Sequence, residues 1–446
     1  MIKKILNQKS EFSRNILTLM TGTAIAQAIP IAISPILTRI YTPEDFGVFA
    51  LYMSIVSIIA AFATGRYELA IMLPRKDEDA INIVVLSIII TSLVSIVILL
   101  IILIFNLQIT NFLGNPEISN WLYFMPISIF LTGIYQSFNY WSNRKKQYKR
   151  LATSRITQST TTATTNLAMG FNGLGTSGLI IGGLLGQSLT TTVLGKMIWN
   201  EDKKHLGDIN KIKIIALGKK YSKFPKYDLP AYVTYSIYSN IAVLFFNKFF
   251  ESSVSGFYFF ANKLLKTPFS FVISAFSDVF YQKLSQSRTN EVIANEVNHY
   301  SLKILKITII PFMIVTYNSF YYVEFIFGNE WKELYKYIYI FSLPIYIGLL
   351  LAPYRHILKI INRQEISMYL HIFRLVILSI FFISYFYIDY NLMWFLYLYA
   401  LLDVIIHLIL GLFVDLIIGN SSIYISNIYR LSTVIILGLI NYNAIL

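Results

Sequence analysis

The residues most able to do chemistry in this chain are charged side chains inside long apolar segments. Lys263 lies near the centre of one segment, in the stretch FYFFANKLLKTPFS, and Arg374 near the centre of another. Arg39 and Lys248 each lie close to the end of such a segment. A charge at the middle of a bilayer costs about 2.5–3.5 kcal/mol on insertion scales, so it usually faces a partner or a water-filled cavity. The four cations predict a cavity that binds an anion such as pyrophosphate through charge-assisted hydrogen bonds.

Two other interpretations remain open for these positions. Arg39 and Lys248 are near enough to a segment end to reach the headgroup region, which needs no function. The acidic residues of the apolar segments are weak candidates for a coupling-cation site; they are Asp278, Glu324 and Asp403.

Uncharged polar residues complete the candidate site. Asn262 directly precedes Lys263, and Gln158 belongs to an apolar segment in which Ser and Thr recur at helical spacing. Such a face suits either sugar hydroxyls or packing between helices. The five histidines show no metal-ligand spacing, and no phosphate-binding G-x-x-x-x-G-K-[ST] loop occurs. We therefore expect no metal, no cofactor and no enzymatic activity, and no ATP-driven pump.

Composition places all of these residues in a membrane protein. Hydrophobic residues make up 56% of the 446 residues and charged residues only 13%, against about 25% in soluble domains. Mean hydropathy is +0.59. The net charge of +14 comes from short loops between apolar segments, which argues against a nucleic-acid partner. The chain has no cysteine, which excludes disulfides and thiolate sites.

A membrane helix needs about 20 apolar residues, and this criterion predicts twelve spans. They lie near 15–38, 47–65, 81–106, 121–142, 151–171, 177–199, 229–250, 256–281, 302–327, 335–358, 366–388 and 391–418. The predicted fold is an all-α integral membrane protein with two six-helix lobes, residues 1–205 and 206–420. The tail, 421–446, holds a short apolar piece at 431–446 that would be a thirteenth span or an interfacial segment.

The loops carry a strong charge asymmetry. One set of alternating loops holds 27 Lys and Arg residues and the other set holds three. The positive-inside rule therefore predicts a cytoplasmic N-terminus. The five tryptophans all fall at predicted helix ends, which predicts that they anchor in the headgroup region.

Short matches between the two halves suggest an internal repeat. Arg39-Ile40-Tyr41 and Gly47-Val48-Phe49 align with Lys248-Phe249-Phe250 and Gly256-Phe257-Tyr258 at an offset of 209. Phe112–Asn115 aligns with Ile326–Asn329, and Pro126 with Pro344. Six spans separate the copies, so the repeat is parallel. In transporters built this way the substrate site lies between the repeats.

Five stretches resemble the polysaccharide and O-antigen flippase family, within the multidrug, oligosaccharidyl-lipid and polysaccharide exporter superfamily. They are LTRIYTPEDFGVFALY (37–52), GRYELAIMLPRKDEDA (65–80), NYWSNRKKQYKRLATSRITQS (139–159), KKYSKFPKYDLP (219–230) and ANKLLKTPFSFVISAFSDVFYQKLSQ (261–286). The lipid II flippases are similar to this family, and their arginine within an A-D-R motif corresponds to Lys263 of this chain. The charge is kept, but the bidentate geometry of Arg is lost.

The resemblance implies a function. Members of the family flip undecaprenyl-pyrophosphate-linked glycans across the bacterial inner membrane by alternating access, for O-antigen, lipopolysaccharide or capsule synthesis. It implies a lipid-linked oligosaccharide substrate, contact with membrane lipids and with other polysaccharide assembly proteins, and a monomer. Two alternatives stay open: a cation-coupled exporter of small amphipathic compounds, and a membrane glycan polymerase or ligase. The latter usually needs a large extracytoplasmic loop, and the longest predicted here is about 15 residues.

Overall fold

The computed structural model describes residues 18–284, 290–351, 357–358, 363–388 and 390–417, apart from the side chains of 271–294, 297–298, 300–301, 364 and 367. All regular elements in this part of the chain are helical. The main helices are α1 (Thr18–Ile40), α2 (Pro43–Ala60), α3 (Asp77–Leu113), α4 (Met125–Arg144), α5 (Tyr148–Phe171), α6 (Thr176–Asp202), α7 (Lys211–Lys220), α8 (Leu229–Phe249), α9 (Ser252–Leu284), α10 (Asn290–Tyr317), α11 (Ser319–Phe327), α12 (Leu334–Leu350), α13 (Gln364–Ser384) and α14 (Leu392–Ile417).

Each of the twelve predicted spans coincides with one of these helices or, in one case, with a helix pair. By length and composition alone, seven helices of the described part could cross a membrane, or eight if a bent pair counts as one. The all-helical, two-lobed membrane fold predicted from the sequence is confirmed. The segment 431–446 lies outside the described residues. Helix α7 lies between the sixth and seventh spans, among the basic loops, and we call that side of the protein the basic side.

The predicted span 302–327 is not one straight helix. It consists of Leu302–Tyr317 and Ser319–Phe327, bent by 68°. Asn318 stands at the break between them, and its Nδ2 donates to the Ile314 carbonyl at 2.9 Å. The Tyr322 and Tyr339 hydroxyls donate to two further carbonyls of the broken turn. The two tyrosine hydroxyls replace hydrogen bonds that the bend removes, as a break within a membrane span requires. The Ile314 carbonyl also keeps its backbone bond from Asn318 N, at 3.3 Å.

The chain divides into two compact units, 1–256 and 257–446. The lobe boundary at 205/206 was inferred from the span count and stays a prediction, as does the separate tail.

Helix ends support the internal repeat. Helix α1 ends at Ile40 and α8 at Phe249, and α2 begins at Pro43 and α9 at Ser252, so both pairs keep the offset of 209. Helices α3 and α11 both end at a glycine with positive φ, Gly114 (+73°) and Gly328 (+95°). Such a glycine is a common way to terminate a helix. The same breaks therefore recur in the two halves of the chain.

Two of the five tryptophans do not lie where they could contact lipid headgroups, contrary to the prediction. Trp141 and Trp331 lie at helix ends as predicted, but they are buried within the protein. The indole Nε1 of Trp141 donates to Asp202 at 3.1 Å. The polar edge of that indole is therefore satisfied by a carboxylate instead of headgroups. Trp199 and Trp394 are well exposed.

Candidate functional site

Helix α9 carries Asn262 and Lys263, the predicted site residues of the second unit. Lys263 is partly buried, and among the described residues its Nζ has no hydrogen-bond or ion-pair partner. Asn262 Nδ2 donates to the Tyr258 carbonyl one turn earlier, at 2.9 Å. A lysine in this position can meet an anionic group that enters the protein, because no described carboxylate neutralises it.

A polar face on α14 accompanies α9. The hydroxyls of Tyr258 on α9 and Tyr399 on α14 are 3.5 Å apart. One and two turns beyond Tyr399 come Asp403 and His407, whose side chains are 19% and 13% exposed. Residues 399, 403 and 407 share one helix face because they are four apart. The i, i+4 spacing of Tyr, Asp and His within an apolar run was the available sequence signal, and of the three only Asp403 was singled out.

Asp403 and His407 form a close pair on α14. His407 Nδ1 lies 2.7 Å from the Asp403 carbonyl oxygen and 3.4 Å from its Oδ1. A carbonyl oxygen only accepts, so Nδ1 is the donor of this hydrogen bond and Nε2 is the acceptor nitrogen of the ring. Gly348 on α12 leaves room for the ring, since a Cβ there would come within 3.2 Å of Nε2.

The other predicted residues of the second unit are dispersed. Arg374 lies midway along α13 and is partly buried. Glu324 is exposed on the short helix α11, beyond the 68° bend. The side chain of Asp278 lies outside the described residues. The roles predicted for these three residues stay predictions.

Arg39 and Lys248 occupy equivalent positions at the ends of α1 and α8. Arg39 is exposed and donates from Nη1 to the Pro35 carbonyl at 3.0 Å. Lys248 lies over the ring of Phe112, with Nζ 4.4 Å from the ring centroid. Both contacts agree with the alternative of a cation near a helix end, since each side chain packs locally. A role in binding pyrophosphate stays a prediction for both.

The polar face of α5 packs against α6. Gln158 Nε2 donates to Gln187 Oε1 at 2.6 Å across the two helices, and Thr190 donates to the Ser154 carbonyl at 2.6 Å. A Cβ at Gly182 or Gly186 of α6 would overlap side chains of α5. Small residues thus bring the backbones close, and hydroxyls and amides bond across the contact. This arrangement favours packing for most of that face, while the role of Gln158 in binding sugar stays a prediction.

A buried carboxylate on the basic side was not predicted from the sequence. Glu68 is 1% exposed and accepts from Thr64 Oγ1 and from Arg66 Nη1, the latter at 3.0 Å. Arg66 Nε also donates to Asp228 at 2.7 Å, and its guanidinium lies 4.1 Å from the Tyr232 ring centroid. Burial raises the pKa of Glu68, and Arg66 and Thr64 offset only part of that effect. This cluster ties the loop after α2 to the beginning of α8.

The sequence of residues 36–336 matches the family described as polysaccharide biosynthesis protein. The chain belongs to that family. No curated protein sequence matches the chain.

The fold of the chain is similar to several solved structures. An inward-facing multidrug resistance MATE transporter of the MOP superfamily superimposes with a TM-score of 0.61 at 15% identity, over 90% of this chain and 94% of its own. A MOP superfamily transporter from Pyrococcus furiosus gives 0.60 at 15% identity, over 91% and 95%. That protein is described as having a binding pocket of reversed polarity that suggests a different function. An outward-facing MATE transporter gives 0.58 at 15% identity, over 91% and 95%. The chain is a multi-pass membrane protein with the MOP-superfamily fold.

Proposed function

We propose that the protein flips undecaprenyl-pyrophosphate-linked oligosaccharide units across the bacterial inner membrane, by alternating access, for a surface polysaccharide such as O-antigen or capsule. The observation that carries the proposal is the family match over residues 36–336 in a chain with a transporter fold. A glycan assembled on a lipid carrier must cross the membrane, and a multi-pass chain of this fold suits the crossing step better than sugar transfer.

Lys263 is the residue we assign first to the pyrophosphate. It lies on a membrane helix, partly buried and without an ion-pair partner among the described residues. A pyrophosphate offers several acceptor oxygens and at least one full negative charge, so it would supply the missing partner through charge-assisted hydrogen bonds. Arg374, Arg39 and Lys248 are further candidate contacts. Asn262 and Gln158 are candidate contacts for the sugar.

The proposal includes topology and partners. The 27-to-3 asymmetry of Lys and Arg between loop sets supports a cytoplasmic N-terminus and a cytoplasmic basic side. The protein would act as a monomer among membrane lipids and other polysaccharide assembly proteins.

Deleting the gene tests the function directly. Surface polysaccharide and lipid-linked glycan intermediates are measured together. Loss of surface glycan, with undecaprenyl-linked repeat units accumulating on the cytoplasmic side, is the expected result. Normal surface glycan in the deletion strain would refute the proposal.

Complementation of that strain with point variants tests the site. Lys263→Gln should fail to restore export, because it keeps most of the side-chain length but removes the charge, whereas Lys263→Arg should restore most of it. Losing a hydrogen bond to a charged group costs about 1.5–3 kcal/mol, which is about 10- to 150-fold in substrate affinity. Lys306→Gln on α10 is a matched control, because Lys306 is exposed. Full export by Lys263→Gln would remove Lys263 from the site.

A second candidate function is cation-coupled export of small amphipathic compounds. The Asp403–His407 pair on α14 favours it, since an acidic residue inside a membrane helix is a candidate site for a coupling cation. Normal surface glycan with altered sensitivity to dyes and drugs in the deletion strain would support this function instead.

A further inference from the structure

Helix α7, on the basic side, is attached to the protein along one face. Leu217 is 7% exposed and belongs to a core cluster that includes Val84 of α3. The Gly218 carbonyl accepts from the Tyr67 hydroxyl at 2.9 Å. The helix therefore packs beside the early turns of α3, where that helix enters its predicted span, 81–106.

An exposed tryptophan indicates the depth of α7. Trp199, near the end of α6, is 61% exposed, and exposed tryptophans of membrane proteins favour the headgroup region. Its neighbour Ile198 packs against the core cluster that contains Leu217. Asn82, near the start of α3, donates to the Asp208 carbonyl at 2.9 Å, shortly before α7 begins. These contacts place α7 at the level of the headgroups and not in the water beyond them.

The outward face of α7 combines apolar and basic residues. Ile212 and Ile215 are 78% and 51% exposed. Lys211 and Lys219 are each four residues from Ile215, so they lie on the same face of the helix, one turn before it and one turn after it. Both lysines are exposed, as is Lys220. Water does not stabilise two exposed isoleucines, whereas a bilayer surface takes up apolar side chains and lets lysine amines reach the phosphates.

The charge of this segment is not balanced. Residues 209–227 include six lysines and no acidic residue. Glu78 of α3 pairs with one of the six, but no carboxylate in the described part of the chain pairs with Lys211, Lys219 or Lys220. Each basic residue near an anionic membrane surface strengthens the attraction to it about fivefold. The outward face of α7 therefore has the charge that complements anionic headgroups.

We propose that α7 is a docking surface for anionic phospholipid in the leaflet on the basic side. Ile212 and Ile215 enter the boundary between headgroups and acyl chains. Lys211, Lys219 and Lys220 bind the lipid phosphates through charge-assisted hydrogen bonds. A zwitterionic phospholipid is bound less well, because its own amine compensates the phosphate charge. The proposal goes beyond the transport function and holds for any transported substrate.

Lipid-selective quenching of a fluorophore tests the surface. Ile215→Cys is made in the whole chain, which has no cysteine, labelled with a nitrobenzoxadiazole fluorophore and reconstituted in phosphatidylcholine vesicles. A small fraction of spin-labelled phosphatidylglycerol, or of phosphatidylcholine with the nitroxide at the same acyl position, is the quencher. We expect phosphatidylglycerol to quench about twofold more or better, because bound anionic lipid is enriched around the fluorophore. Leu93→Cys is the control, since it is 58% exposed at mid-span on α3, which has no Lys or Arg, and both lipids should quench it equally.

Removing the lysines tests what selects the lipid. Lys211→Gln/Lys219→Gln/Lys220→Gln should lower the quenching ratio at position 215 to that of the control. Added salt should lower the ratio in the chain that keeps its lysines. Equal quenching by the two lipids at position 215 in that chain would overturn the proposal. Absence of quenching by either lipid would place α7 in water and would overturn it as well.

Thermal unfolding in detergent gives a second measurement, without a fluorophore. A lipid that binds the folded protein raises the unfolding midpoint. Phosphatidylglycerol should raise it by about 2 °C or more beyond phosphatidylcholine in the unsubstituted chain, and should lose this advantage in the triple lysine variant. Lys146→Gln/Lys149→Gln is the matched control, because these bases are exposed on the same side outside α7, and it should keep the advantage. Equal shifts in the triple variant and the unsubstituted chain would overturn the proposal. A shift with undecaprenyl pyrophosphate but not with phosphatidylglycerol would assign α7 to the substrate and would also overturn it.

Discussion

Replacing Arg66 by alanine should destabilise the protein far more than replacing its exposed partner, Asp228. Arg66 bonds to two carboxylates, at 3.0 Å from Glu68 and 2.7 Å from Asp228. The two differ in exposure: the side chain of Glu68 is 1% exposed and that of Asp228 is 43% exposed. Removing Arg66 leaves a buried carboxylate without its cation, whereas removing Asp228 leaves Arg66 paired with Glu68.

The magnitudes follow from that difference. Breaking a buried pair by removing one partner costs about 3–5 kcal/mol, while an exposed pair contributes about 0.2–1 kcal/mol. Arg66 has φ of +64°, which is unfavourable for arginine and alanine alike, so the substitution does not change the backbone strain. Gln at position 68 needs no cation, and Arg66→Ala/Glu68→Gln should therefore regain much of the stability lost in Arg66→Ala.

The assay measures the stability of the purified protein in detergent, from its unfolding by heat or by a denaturant. The expected order of stability is wild type, Asp228→Asn, the double variant, then Arg66→Ala. If Arg66→Ala were no less stable than Asp228→Asn, or if Glu68→Gln restored nothing, the explanation by a stranded buried charge would be wrong.

The remaining predictions concern pH and packing. Burial raises the pKa of Glu68, so the contribution of this residue to stability is complete below its ordinary value of 4.5 and declines as the pH rises through the folded-state value. Stability in detergent, measured from pH 4 upward, should show this decline in the wild type and lose it in Glu68→Gln. Gly182→Ala should cost about 1–3 kcal/mol, because its Cβ would overlap the Asn166 side chain. Gly183→Ala, measured by the same unfolding assay, should be within about 0.5 kcal/mol of the wild type. Equal losses for the two glycines would refute the packing argument.

The fold was predictable because the bilayer imposes strict conditions on sequence. Spans must be apolar and long, so the twelve segments could be located from hydropathy, and the repeat left matching glycines such as Gly47 and Gly256. The bend at Asn318 was not predictable in this way, since the flanking residues are apolar enough for one straight span. It depends on two tyrosine hydroxyls from beyond the break. Tyr322 on α11 and Tyr339 on α12 both donate to carbonyls at the end of α10.

The candidate site was predictable only in part. Charge in an apolar segment made Lys263 and Asp403 candidates, because burying a charge is costly enough to stand out in one sequence, and their roles stay predictions. His407 and Tyr399 were not among the predicted site residues, since their proximity to Asp403 follows from sharing a helix face with it. Glu68 was missed because it lies near ordinary basic loop residues, and nothing in the sequence indicates that it is 1% exposed.

The length of helix α3 affects how far the loops of the basic side lie from the hydrocarbon core. The helix has 37 residues and is kinked at Phe105. The part before the kink, 77–104, spans about 42 Å at 1.5 Å per residue, against a hydrocarbon core of about 30 Å. Its first turn, Asp77-Glu78-Asp79, is therefore carried beyond the core even if the helix tilts. Asp77 pairs there with Arg144 and Lys145, and Glu78 with Lys213. The long helix thus holds several loop bases out in water and pairs them with acids, which leaves fewer of them to bind anionic lipid.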